Sequence, residues 1–236
     1  MKILAVDASA VSASVAVMED GKLLGEFFLN VGLTHSCTLM PMIESVLRYA
    51  QIAVSDIDLF AVSNGPGSFT GVRIGVSTVK GLAEGLGKPC IGVSTLLSMA
   101  QNGKGTQDLI CCAMDARCRQ VYTALFEDAG CKVVRLTEDD AISLDALAQL
   151  LQAQNRPIQF VGDGAKLCYD TFRETMPNVK LAAEAIRFQR ASGVATAVWE
   201  NKLYEQAVSA DALAVSYLRL SQAERERKQK MEAERK

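Results

Sequence analysis

Residues 63–75, SNGPGSFTGVRIG, place three glycines and a proline within seven positions just ahead of a helix-like stretch. A loop of this kind can cradle phosphate, present a nucleophile or shape a surface. Its spacing fails the first two tests. A phosphate-binding P-loop needs Gly, four residues and then Gly-Lys-Ser/Thr, but the residues five places beyond Gly65 and Gly67 are Thr70 and Val72. An esterase elbow needs Gly-x-Ser-x-Gly, and Ser68 follows Gly67 directly, with Thr70 two places on. Any Ser or Cys nucleophile would depend on His35, the only histidine, near Cys37. A histidine ahead of a helix reads as a polar end-group instead.

Acids at strand ends offer a second chemistry. Asp7 closes the apolar run ILAVD and Asp115 closes LICCAMD. Two such carboxylates can hold magnesium through water, or simply cap turns. The turns beyond them are poor phosphate grips. DASAVS (7–12) has alanines where glycine would admit phosphate, and DARCRQ (115–120) puts Arg117 and Cys118 at its tip. GDGA (162–165) keeps Gly162 and Gly164, so these four residues, Asp7, Asp115, Gly162 and Gly164, form a candidate weak nucleotide contact.

The elements that must position these residues follow from periodicity. Strands are expected at Ile3–Val6, Ser14–Met18 and Leu23–Leu29, joined as hairpins, then a helix over 36–51, a strand at Leu59–Ser63, a helix over 70–86 and a strand at Cys90–Val93. Overlaying KILAVDASAVSASVAVMEDG on LICCAMDARCRQVYTALFEDA, with Asp7 on Asp115, also matches Ala5 with Ala113 and Ala16 with Ala124. The order then repeats: a strand near Val133–Leu136, a helix near 144–152, a strand at Ile158–Val161 and more helix. The fold class is α/β, two tandem βββαβα domains with mixed sheets. Their expected spans are 1–105 and 106–220, meeting in the linker-like NGKGTQ, and 221–236 forms a charged helical or frayed tail.

Composition excludes several classes. The 236 residues are 49% hydrophobic, yet no apolar run nears the roughly 20 residues of a membrane helix. Seven cysteines, an odd number without a CxxC pair, suit neither a disulfide framework nor a zinc site, and imply a reduced cytoplasm. Lys and Arg number 25 against 27 Asp and Glu, which argues against a broad basic face that binds nucleic acid alone.

The glycine-rich loop launches a helix with a core stripe of Val72, Val76, Val79, Ala83 and Leu86. Beside it lies a band of little bulk, Gly71, Gly75 and Thr78, with Gly81 and Gly85 further around. Each glycine costs up to about 1 kcal/mol of helix stability, so the band implies close approach of another helix. The preceding helix carries Met40, Met42, Leu47 and Tyr49 outside its core stripe, with Pro41 near its start. Ser68 or Thr70 is positioned to cap the second helix. The loop therefore shapes a surface.

Two βββαβα domains, each with an acid ending its first strand, resemble the actin, sugar-kinase and Hsp70 (RNase H-like) superfamily. Within it, ILAVDAS, HSCTLMPMIESVL, SNGPGSFTGVRIG, KPCIGVSTL, MDARCRQVYTALF and VGDGA resemble the TsaB (YeaZ) family, bacterial paralogues of the TsaD enzyme that makes N6-threonylcarbamoyladenosine in tRNA. The resemblance implies a noncatalytic scaffold without catalytic or metal residues. It places the two histidine positions of TsaD at Thr95 and Met99, which cannot replace imidazole. It implies a TsaD-like transferase and a TsaE-like ATPase as partners, a homodimer when alone, tRNA met indirectly, and no cofactor beyond ATP or ADP shared at a partner boundary. The first two helices would form the interface, through Leu39, Met40, Leu47, Thr70, Gly71, Arg73, Ile74, Gly75 and Thr78. The competing reading is a stand-alone kinase or ATPase of the superfamily.

Overall fold

The computed structural model describes residues 1–219. Its first sheet begins as three antiparallel strands, β1 (Lys2–Asp7), β2 (Ala13–Glu19) and β3 (Lys22–Leu29). Helix α1 (His35–Ala50) then returns the chain to β4 (Leu59–Gly65), which pairs in parallel with β1. Helix α2 (Phe69–Leu86) leads to β5 (Cys90–Ser94), so the strand order is β3-β2-β1-β4-β5, a mixed sheet. α3 (Thr95–Ala100) crosses to a second sheet.

That sheet comprises β6 (Leu109–Asp115), β7 (Gln120–Asp128), β8 (Val133–Arg135), β9 (Asp140–Ser143), β10 (Ile158–Val161) and β11 (Val179–Leu181). The order is β11-β10-β6-β7-β8, with β9 also paired to β7. Helices α4 (Leu144–Gln152) and α5 (Ala165–Phe172) cover one face, followed by the short α6 (Glu184–Arg187) and by α7 (Ala191–Glu200).

Alternation along the strands builds four layers of core. Leu4, Val6, Val15 and Val17 pack under α1 and α2, whereas Ile3, Ala5, Ala16 and Met18 meet α7 on the other face. In the second sheet Leu109, Cys111 and Leu125 meet α4 and α5, and Ile110, Cys112 and Phe126 meet α3. α3 and α7 thus lie between the sheets. A Cβ at Gly193 of α7 would fall 2.3 Å from the Ser98 carbonyl of α3, so the two backbones touch.

The expected second span, 106–220, does not match where the chain goes. From residue 191 onward it packs on the first sheet. α7 fills that sheet's inner face, Val208 bridges Cys90, and Ala210 and Leu213 join the core under α1 and α2. α7 escapes a periodicity search because ASGVATAV is small or apolar all round, as a helix covered on every side requires. The tail expectation for 221–236 lies outside the described residues.

The glycines of α2 divide into two kinds. A Cβ at Gly71 would sit 2.2 Å from the Ala8 carbonyl, whereas Gly81 and Gly85 have no other atom within 4 Å of a Cβ. Gly81→Ala and Gly85→Ala should each stabilise the chain by about 0.5–1 kcal/mol. Gly71→Ala should destabilise it by about 1–3 kcal/mol. Urea denaturation of the three variants checks both signs.

Candidate functional site

Asp7 ends β1 at 1% exposure. One carboxylate oxygen accepts from the Ser9 amide (3.0 Å) and the Ser9 hydroxyl (2.8 Å), and the other from the Ser63 hydroxyl of β4 (2.5 Å). Burial pushes its carboxyl up from the ordinary aspartate value, opposed by these donors. No open side is left for an ion or phosphate.

The β1–β2 turn beyond it is equally closed. The Ser9 carbonyl accepts from the Ser68 amide at 2.7 Å, and the Ala10 carbonyl lies 2.7 Å from His35 Nε2. Gly67 and Gly71 allow this seating, since a Cβ on either would strike the carbonyls of Ser9 or Ala8. The Ser68 hydroxyl caps α2 by accepting the Gly71 amide at 3.3 Å. Ala10 itself sits in the apolar cluster of Leu96, Met99 and Met114 between the sheets. Only Val11, 64% exposed, projects from the turn. The glycine-rich loop is therefore the outer wall of a filled turn.

The second turn differs in geometry. Asp7 pairs with Ser14 but Asp115 pairs with Val121, so the second hairpin turn is one residue shorter. Alternation places Asp7 on the α3/α7 side of its sheet, with Ile3 and Ala5, and Asp115 on the α4/α5 side of its own, with Leu109 and Cys111. The acids match in sequence and face opposite layers. Asp115 is exposed, with Oδ1 accepting the Arg117 amide at 2.7 Å. Gly162 and Gly164 are buried against β6, where Cβ atoms would fall 2.1 Å from the Ala113 carbonyl and 2.8 Å from the Asp115 nitrogen. The four expected nucleotide contacts do not converge on one open surface.

The expected helix interface also divides. Leu39 and Leu47 are 1% and 7% exposed, and with Met42 they widen the α1 core face rather than extend beyond it. Gly71 and Gly75 are buried against Ala8. These four belong to the chain's own packing, because α1 and α2 sink deeply onto β2 and β4. Met40, Thr70 and Arg73 are exposed, and Ile74 and Thr78 half-buried. Ser77, Gly81 and Gly85 continue the open face of α2.

Sequence reasoning missed a strap over the adjoining flank of α2. Lys80 Nζ donates to the carbonyls of Asp211 and Leu213, both at 3.1 Å. The Ser216 amide donates to the Asn64 carbonyl at 2.8 Å, and Arg73 Nε donates to the Tyr217 hydroxyl at 2.6 Å. Tyr217 stacks on Phe69 with centroids 5.0 Å apart. No periodic signal marks this segment, since most of its bonds use backbone atoms. Thr95 and Met99, where the resemblance places the TsaD histidines, are both fully buried. Among the described residues no three His, Cys, Asp or Glu side chains gather as a metal site.

Two mixed sheets, each opened by an acid-ended hairpin and separated by crossing helices, define a protein of the tandem actin-like α/β class. Residues 30–227 match the family model of TsaD, tRNA N6-adenosine threonylcarbamoyltransferase. The chain is 30% identical over 224 residues to the tRNA threonylcarbamoyladenosine biosynthesis protein TsaB of Bacillus subtilis, covering 95% of this chain and 96% of that one. It is 40% identical over 129 residues to TsaB of Escherichia coli, covering 54% and 55%. The solved structure of YeaZ from Pseudomonas aeruginosa superimposes with a TM-score of 0.76 at 26% identity, covering 92% of this chain and 99% of that one. The chain belongs to the TsaB (YeaZ) family.

Because Asp7 binds its proton more tightly folded than unfolded, the stability this contributes is complete below the unfolded pKa and is lost as pH rises through the raised folded value. Urea midpoints of wild type and Asp7→Asn across pH 4 to 8 should show wild type losing ground to the variant as pH increases. Parallel curves would place Asp7's ionisation outside the stability balance.

Proposed function

We propose that this chain is a noncatalytic scaffold subunit in the synthesis of N6-threonylcarbamoyladenosine, on the adenosine next to the anticodon of tRNA. It binds a TsaD-like transferase, holds it in its active arrangement, and works in the cytoplasm with a TsaE-like ATPase. The observation that carries this reading is the sealed first turn. Where the fold offers phosphate a strand-turn-strand grip, Asp7, Ser9 and Ala10 are bonded to the chain itself. The chain has no cofactor of its own in this reading, and any ATP or ADP sits at the boundary with the partner.

The docking face is the open side of α2 with the exposed start of α1. Thr70, Ile74, Ser77 and Gly81 recur at helical spacing, and beyond the half-buried Ile74 the small Ser77 and Gly81 let a partner helix approach the backbone closely. Met40, together with Val31 and Leu33 ahead of α1, supplies exposed apolar area at 40%, 65% and 60% exposure. The same face serves self-association when the partner is absent.

Analytical ultracentrifugation of the chain mixed with a TsaD-like partner tests this. Wild type should associate, while Gly81→Trp and Ile74→Arg should stay folded by circular dichroism and lose association at least tenfold. Wild type remaining apart from TsaD while hydrolysing ATP alone would overturn the scaffold reading in favour of a stand-alone ATPase.

A further inference from the structure

Five arginines, Arg48, Arg73, Arg117, Arg119 and Arg219, form no ion pair among the described residues, whereas Arg135, Arg156, Arg173, Arg187 and Arg190 do. Four of the five are linked through one segment of the chain. Arg73, in the first turns of α2, packs its guanidinium 3.7 Å over the Phe69 ring and bonds the Tyr217 hydroxyl. Two residues beyond Tyr217, an extended reach of about 7 Å, Arg219 Nη1 donates to the Ala116 carbonyl at 3.4 Å. Ala116 opens the β6–β7 turn whose tip is Arg117-Cys118-Arg119. The strap thus joins a cation on the first sheet's helix to a pair of cations on the second sheet's hairpin.

The hairpin tip is costly to build. Arg117, Cys118 and Arg119 have φ of 63°, 52° and 55°, three successive left-handed residues without a glycine. Bonds from the Ala116 amide to the Gln120 carbonyl (3.0 Å), from the Gln120 amide to the Arg117 carbonyl (3.0 Å) and from the Leu144 amide to the Arg119 carbonyl (3.1 Å) hold it. Strain retained in this way clusters at functional positions, and here it holds two exposed arginines that form no ion pair among the described residues, although Asp145, beside Leu144, is also exposed. Asp115 at the base of the tip is the nearest acid in sequence, and its Oδ1 is engaged by the Arg117 amide.

We propose that Arg73, Arg219, Arg117 and Arg119, with Tyr217 among them, form a track for the phosphate backbone of RNA. Guanidinium forks match phosphate oxygens in paired hydrogen bonds. Tyr217, 46% exposed, offers a ring on which an unpaired base stacks. The chain continues past Arg219 into AERERKQKMEAERK, which extends the basic composition. The choice of tRNA as the RNA rests on the proposed role in tRNA modification; the affinity for phosphate backbone does not. The track also gives the overall charge of −2 a local exception, so contact with RNA is confined to one narrow line.

Fluorescence anisotropy of labelled, unmodified tRNA titrated with the full chain tests the track, at salt concentrations of about 50 and about 200 mM. The variants are Arg117→Glu with Arg119→Glu, Arg117→Ala with Arg119→Ala, and Arg48→Glu as a control at the far end of α1. Both tip variants should weaken binding at least tenfold, and the alanine pair should reduce the salt slope by about two, with Arg48→Glu unchanged. Equal binding and equal slopes for wild type and tip variants overturn the proposal. So does tripolyphosphate displacing tRNA at a matching affinity per phosphate, which would make the tip a nucleotide-phosphate site. Sedimentation of the same samples with TsaD separates the two proposals, since the tip variants should retain association. Loss of association in wild type would defeat the scaffold role while leaving the tRNA result to stand.

Discussion

One buried carboxylate organises the first half of this molecule. Asp7 is removed from water and held by Ser9, in its own turn, and by Ser63, at the end of the neighbouring parallel strand. A carboxylate in such a place needs its donors, because an unpaired buried charge costs several kcal/mol. Satisfying it fixes where the β1–β2 turn begins and how the end of β4 lies beside it, and the glycine-rich loop leaves from that end. Gly67 and Gly71 then bring loop and helix onto the turn's carbonyls, which sets how α2 lies on its sheet. Ser63 also lies 3.4 Å from Ser98 of α3, so the same cluster reaches the crossing helix.

The second half repeats the grammar and departs from it in one residue. The turn after Asp115 is one residue shorter, and β6 sits in its sheet in the opposite phase from β1, so that Asp115 shares the side of Leu109 and Cys111 under α4 and α5 whereas Asp7 shares the side of Ile3 and Ala5 against α7. The two acids of the duplicated hairpins consequently belong to different layers. A cleft that grips phosphate from both sides needs its two turns open and facing. Here one turn is filled by Ala10 and the other is raised into an arginine-tipped hairpin. The lobes are instead stitched together, with Ser94 of β5 donating to Asp139 at 2.5 Å and Arg135 bonding Ser94 at 3.1 Å. On α1 and α2 an open face remains, where Thr70, Ser77, Gly81 and Gly85 are small and Met40 is apolar.

Much of the fold was legible because its strands and helices carry clean periods. The hairpin order, α1, α2, α4 and β10 fall within a few residues of the positions that periodicity predicts. α7 was not legible, since a helix packed between two sheets has no polar face to mark it, and β9 and β11 are only four and three residues long. Among site residues, chemistry identified Asp7, but its partner Ser63 is 56 positions away and could not be paired with it from sequence. The glycine band misled in part: Gly71 and Gly81 look alike along a helix, and only the structure shows that Ala8 occupies the space beside the first while the second is open. Leu47, read as lying outside the core stripe, likewise turned out to be core, because α1 buries more than a third of its circumference.

The chain's own atoms fill the turn between β1 and β2, which leaves that turn no room for phosphate. Isothermal titration calorimetry of Mg·ATP into the purified chain tests it directly. A filled turn should give no saturable heat at concentrations up to about 1 mM, the weak end of ordinary ligand affinity. Saturable binding in the micromolar range, abolished by a folded Asp7→Ala variant, would show that the first turn opens to phosphate.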